Sequence, residues 1–173
     1  MFNLKIKKTM KTISWITFIA SLIIFGMVCF KSIVFDINCG DYLKRAADSN
    51  TVELAVDNLK VALNYIEANN MTSGYTSVLY NSPDEDVAFW YANIKQSYEE
   101  LTALDENTTN LEKTNLLMKL RETLLDNKEK GESLTLPKAI SVFPNNTMWA
   151  ILKWLCLFMF VGGGFGVLAT WDD

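Results

Sequence analysis

Residues 12–30 read TISWITFIASLIIFGMVCF, 19 positions without a charge and rich in Ile, Phe, Leu and Val. Residues 154–171, WLCLFMFVGGGFGVLATW, give 18 more. An uncharged apolar run of about 18 or more residues, rising ~1.5 Å per residue as a helix, is long enough to cross a hydrocarbon core of roughly 30 Å. A helix is required there because lipid offers the backbone no hydrogen-bond partner. Both runs exceed the usual length of a buried core helix, so the sequence predicts two transmembrane helices, over 12–35 and 147–171. The flanks agree. Trp15 sits near one end of the first run, Trp149 and Trp154 near the start of the second, and Trp171 at its end. Indole rings prefer the depth of the membrane–water interface. Lys31 and Lys153 border the runs, where long stems carry the ammonium groups to the headgroups. Lys31, Trp149, Lys153, Trp154 and Trp171 are therefore the expected interface anchors.

The first run is expected to remain as an anchor. Its basic start, Lys5, Lys7, Lys8 and Lys11, suits a signal peptide, but the apolar run is too long and no small-x-small cleavage site ends it. The same lysines fix the predicted orientation. Residues 1–11 hold four Lys and no acid, which places the N-terminus in the cytoplasm. Two spans return residues 172–173 to the same side, and residues 36–146 become one extracytoplasmic domain. Residues 36–140 hold 18 Asp and Glu against 10 Lys and Arg, a net charge of −8.

The domain between the spans reads as helices. Val52, Val56, Leu59, Leu63 and Ile66 form a stripe along one helix face, after possible caps at Asp48 to Thr51 and before Asn69-Asn70. Asp41–Asp48 also looks helical, so the first span is expected to continue as a stalk with a weak point near Cys39-Gly40. A second helix is predicted from Ser82-Pro83-Asp84-Glu85-Asp86, where Pro suits N1 and acids favour the helix dipole. Its stripe is Val87, Tyr91, Ile94, Tyr98 and Leu101. A third begins with the capping box Thr109-x-x-Glu112, carries Leu116, Leu117, Leu120, Leu124 and Leu125, and is expected to stop at Gly131. Each holds roughly 20 residues, about 30 Å of helix. Two arrangements remain open. Either the first helix points away from the membrane and 71–81 turns the second one back, or 71–81 itself returns extended. No strand-rich stretch or repeat is visible. The predicted fold class is an all-α membrane protein, two transmembrane helices bracketing a three- to four-helix extracytoplasmic bundle.

Composition limits the chemistry. The 173 residues include three Cys and no His, which excludes a Ser-His-Asp triad, a Cys-His pair and an imidazole proton shuttle. A net charge of −4 speaks against nucleic acid, whose binders normally carry a basic patch. Cys29 and Cys156 fall inside the spans, leaving Cys39 alone outside them. It is expected as an unpaired thiol, with a bridge across a dimer axis as the alternative. Asp84, Glu85 and Asp86 are expected to be helix-dipole partners and solvated charge rather than a cation site, and Glu99-Glu100 to be surface. No cofactor, metal site or catalytic residue is indicated. Sequons at Asn70, Asn107 and Asn145 would matter only in a secretory eukaryotic setting.

Two features suggest contacts. Within Gly162-Gly163-Gly164-Phe165-Gly166, the pair Gly162 and Gly166 has the small-xxx-small spacing that lets helices approach closely. Their partner is expected to be the first span, through Ala20, Ser21 or Gly26, or another subunit. Phe89, Trp90 and Tyr91 are consecutive on a helix, so they cannot all face the core. With Tyr75, Tyr80 and Arg121 they make up the candidate recognition surface, since aromatics and Arg are enriched at interfaces; packing in the core is the competing role.

The plan resembles the ligand-binding part of bacterial chemoreceptor-type proteins, in which two spans bracket a helical bundle. The resemblance is one of topology and implies sensing through the outer domain. It departs from that plan in that no signalling domain is expected after the second span. The expected function is therefore non-enzymatic: a sensor-like module, assembly factor or accessory subunit. Its expected partners are the lipid bilayer and a membrane protein or a second copy. The alternative is a component of an oligomeric channel or transporter, although Ser14, Thr17 and Ser21 are mild polar groups for an ion route. A membrane enzyme is less favoured, because neither span contains a carboxylate.

Overall fold

The run over 12–30 lies in α1 (Phe2–Phe35), and the second run in α6 (Asn146–Ala169). A computed structural model describes residues 2–105, 107–128 and 131–169. Two helices among them are long and apolar enough to cross a membrane. The chain divides into two compact units, Met1–Lys31 with Asn145–Asp173, and Ser32–Pro144.

In the first unit α1 and α6 run antiparallel. The Ser14 side chain lies against Gly166, and the Phe18 and Phe160 rings are 5.3 Å apart. The Cys156 thiol donates to the Ser21 carbonyl at 3.2 Å. Small groups fill the seam, and Ser21 is fully buried. The large side chains point the other way: Ile16, Phe25, Phe30, Phe158 and Phe165 are each more than 60% exposed. In water such a surface would be costly, at about 25 cal/mol per Å² of apolar area left wet. Against hydrocarbon it is matched.

The second unit is built from four helices: α2 (Asp41–Ala47), α3 (Val52–Ala68), α4 (Val87–Thr102) and α5 (Asn110–Leu124). A turn of π-helix, Asp36–Gly40, leads into α2, so helical backbone is continuous from Phe2 to Ala47. The expected weak point at Cys39-Gly40 falls in that π turn. The helix does continue past the first apolar run, as expected, and its last turns pack into the unit, with Leu43, Ala46 and Ala47 buried in the core.

Thr51 caps α3, accepting from the Leu54 amide, and Asn69-Asn70 end it. Asn70 takes φ +57°, a conformation Asn tolerates. The Met71 amide then reaches back to the Ile66 carbonyl at 2.9 Å, closing the helix end. α3 doubles back on α2, bringing Tyr65 edge-on to Phe35, with ring centroids 6.1 Å apart. The buried stripe of α3 is centred on Ala55, Leu59, Ala62, Leu63 and Ile66, with Val52 and Val56 at its margin. α4 and α5 follow antiparallel and close the core with Val87, Trp90, Ile94, Leu101, Leu120 and Leu124.

Three sequence expectations are corrected. The helices α3, α4 and α5 hold 17, 16 and 15 residues rather than 20. The second begins later than Pro83, which instead opens a 3-10 turn, Pro83–Glu85, and Asp86 caps α4. α5 stops at Leu124, before Gly131, and a hairpin of β1 (Leu125–Lys128) and β2 (Gly131–Leu134) follows. The physical reason is local. Asp126 and Asn127 are poor helix formers. Gly131 opens β2 opposite Lys128 at φ +117°, a backbone conformation that favours glycine. The pairing of Leu125 with Leu134 sends the chain back towards the core.

Candidate functional site

The six residues of the candidate recognition surface separate into two sets. Tyr75, Tyr80 and Phe89 are 40%, 75% and 66% exposed. Trp90 is buried in the core, and Tyr91 and Arg121 are tied to neighbouring elements.

The exposed set is carried by the 71–82 segment and the first turn of α4. The Thr76 amide donates to the Glu85 carbonyl at 3.0 Å, and the Val87 amide to the Gly74 carbonyl at 2.9 Å. These bonds pin Tyr75 opposite Asp86. The Asp86 carboxylate accepts from the Ala88 and Phe89 amides at 2.9 and 3.1 Å, which fixes the first turn of α4. Ser82 donates to Glu85 at 2.7 Å. On this braced segment Val78 and Leu79 are also exposed, Leu79 by 90%. Both belong to the irregular stretch that the sequence marks between the helices, but not to the six residues predicted for this surface; their signal was aliphatic residues without helical spacing, between turn formers.

The tied set holds helices together. The Tyr91 hydroxyl donates to Glu67 at 2.6 Å, joining α4 to the end of α3, and the Lys95 ammonium sits 5.5 Å from its ring centroid. That bond to a carboxylate, with some burial, raises the Tyr91 phenol above its ordinary value. Arg121 pairs with Asp48 at 2.6 Å and with Glu132, linking α5 to the end of α2 and to β2. Both carboxylates hold its charge more firmly. Glu100 and Lys119 tie α4 to α5 at 2.7 Å, and the lysine lowers the Glu100 carboxyl below its usual range.

A cleft of about 230 Å³ opens between the start of α4, the end of α5 and the chain at 134–137. Its apolar wall includes Phe89, Trp90, Ile94, Leu124 and Leu136, and Asp84, Asp86 and Asp126 line it as well. Trp90 is 7% exposed, and its indole N–H has no acceptor among the described residues.

Cys39 is fully buried in the core of this unit, beyond the apolar run. Burial, with Asp36 nearby, pushes its thiol up to about 12. A thiol this enclosed cannot reach across a dimer axis, so the structure favours the unpaired reading. No group of three His, Cys, Asp or Glu among the described residues is placed to hold a metal ion.

In the first unit, the glycines that meet α1 are Gly163 and Gly166. A Cβ on Gly163 would lie 2.9 Å from the Phe18 amide nitrogen and from the Thr17 hydroxyl, and one on Gly166 would overlap Ser14. Gly162 has open space around its Cβ position, as does Gly26. The seam therefore runs through Ser14, Thr17 and Ser21 rather than Ala20 or Gly26, and Gly163 takes the place expected of Gly162. With three consecutive glycines, spacing alone could not choose the register. Lys31 and Lys153 are exposed, and Trp154 is 63% exposed. Trp149 is 8% exposed and lines a groove with Ile23, Met27 and Phe30, which removes most of it from an interface role. Trp171 lies outside the described residues.

No family model, no curated protein and no solved structure matches this chain.

Proposed function

We propose that this chain is a non-enzymatic, two-pass membrane protein whose helical unit lies outside the cytoplasm. That unit binds another membrane protein or a second copy, and serves as a sensor-like module, assembly factor or accessory subunit. The observation that carries this reading is the exposed set Tyr75, Val78, Leu79, Tyr80 and Phe89 on a hydrogen-bonded segment. Large apolar side chains held outward cost little ordering entropy on association and offer the area that interfaces use. The antiparallel pairing of α1 and α6 supports both termini on one side, and the N-terminal lysines support that side being cytoplasmic. The absence of His, and of acids inside either apolar run, supports binding over catalysis.

Crosslinking on native membranes with mass-spectrometric mapping tests the reading. Crosslinks from 75–89 to one identified polypeptide, lost on Leu79→Asp and Tyr80→Asp, are expected. Crosslinks from that surface confined to its own chain would overturn it.

A further inference from the structure

The pairing of α1 with α6 leaves a groove along one flank, about 520 Å³ in volume. Ser21, Phe25 and Val28 of α1 and Leu157 and Phe160 of α6 line it, and every described lining residue but one is uncharged. The exception is Lys153. In sequence it borders the second apolar run, but the helix pairing sets it well inside the first. Cys156 bonds to the Ser21 carbonyl and Phe160 packs on Phe18, so in this antiparallel pair Lys153 falls level with Ile24. Ile24 lies six residues before Phe30, the end of the uncharged run, or about 9 Å along the helix. No Asp or Glu is present among the described lining residues, and Lys153 is in none of the ion pairs among the described residues. An ammonium at that depth is costly without an anion beside it or a path to the headgroups. Its stem leans toward the N-terminal end of α6, which is the Val28 end of the groove, and Phe160 lies at the apolar far end.

These features select the occupant. A neutral hydrocarbon fills the walls and leaves the ammonium unpaired. A small anion pairs with the ammonium and leaves the walls empty. An acyl chain joined to a phosphate meets both. A zwitterionic headgroup brings an ammonium of its own that no lining acid receives, so a headgroup of net negative charge is the better match. The volume falls within the roughly 300–1,000 Å³ of small-molecule sites.

We propose that this groove binds an anionic phospholipid, with one acyl chain lying between α1 and α6 and the phosphate paired with Lys153. The inference rests on the reading of α1 and α6 as membrane spans and adds a lipid class to the bilayer as partner. Lys31 does not share this placement, since it follows Phe30 at the end of the uncharged run.

The test uses the full chain in dodecyl maltoside micelles holding equal amounts of dioleoyl phosphatidylglycerol and dioleoyl phosphatidylcholine, with native mass spectrometry counting the lipid retained. Phosphatidylglycerol should be retained over phosphatidylcholine about fivefold, the effect of one Lys beside an anionic headgroup. Lys153→Gln should abolish the preference, Lys153→Arg should keep it, and Lys31→Gln should keep most of it. Leu157→Trp fills the groove and should reduce the retained phosphatidylglycerol although Lys153 remains, with circular dichroism unchanged in every variant. Equal retention of the two lipids, a preference that survives Lys153→Gln, or retention that survives Leu157→Trp each overturns the proposal, as does a lipid-free dimer in which a second copy covers the groove. A chain that sodium carbonate strips from native membranes would overturn the membrane reading itself. A chain that stays in them yet shows no lipid preference sinks this inference alone.

Discussion

The helix pair and the helical unit sort their side chains in opposite directions. Between α1 and α6 the enclosed groups are small, Ser21 and the glycine faces at 163 and 166, while phenylalanines and isoleucines point outward. Around α2–α5 the enclosed groups are Leu43, Leu59, Ile66, Ile94 and Leu120, while the charged side chains lie at the surface. On the proposed reading, with α1 and α6 in lipid and α2–α5 in water, one rule produces both patterns. Water drives large apolar groups together. Lipid does not, so helices in it meet where backbones approach most closely.

The largest effects should separate the two regions. Leu59→Ala and Ile94→Ala remove fully enclosed side chains, and each should cost about 2–5 kcal/mol in denaturant unfolding followed by circular dichroism. Leu157→Ala and Phe158→Ala, on the exposed face of α6, should cost less than about 0.5 kcal/mol in the same measurement. Equal losses would erase the distinction. Next in size, Gly163→Ile forces a side chain into the Phe18 backbone and should destabilise the helix pair by about 1–3 kcal/mol. Gly162→Ile should leave it unchanged, and resistance to SDS unfolding reports both. If Gly162→Ile proved the more damaging, the seam would lie elsewhere.

Surface ties should matter less. Arg121→Ala breaks exposed ion pairs with Asp48 and Glu132, and a loss of at most about 1 kcal/mol is expected in the same unfolding assay. A larger loss would show that hairpin docking depends on that arginine. The smallest effect is a pH dependence. The Tyr91 phenol is raised in the folded state by its bond to Glu67. The bond's contribution is therefore complete below the ordinary phenol value, near pH 10, and fades as pH rises through the raised one. Unfolding curves between pH 8 and 11 should show this slope in the parent chain and less of it in Tyr91→Phe.

Much of the local structure was legible from residue order. The Thr109 cap and its Glu112 partner form the expected box, and Asn69-Asn70 end α3 where the apolar stripe ends. Caps and stripes are short-range effects, readable within four or five residues. The hairpin was missed because strands of four residues are too short to show alternation against a preceding leucine-rich helix. At the candidate site, residue type could not separate Tyr75, Tyr80 and Phe89, which are exposed, from Trp90 or Tyr91, which are not. Consecutive helical positions differ by about 100°, and which one faces inward depends on where the neighbouring helices lie.

By itself, the sequence determined that two helices are long and apolar enough to span a membrane, because hydropathy and length are properties of the chain alone. It also determined that helices fill the region between them, because periodic apolar residues and caps are local. Only the tertiary structure decided that α2 belongs to the core, that Gly163 rather than Gly162 meets α1, and that three carboxylates line one apolar cleft. Each of those facts joins residues far apart in the chain, and only packing brings such residues within reach of one another.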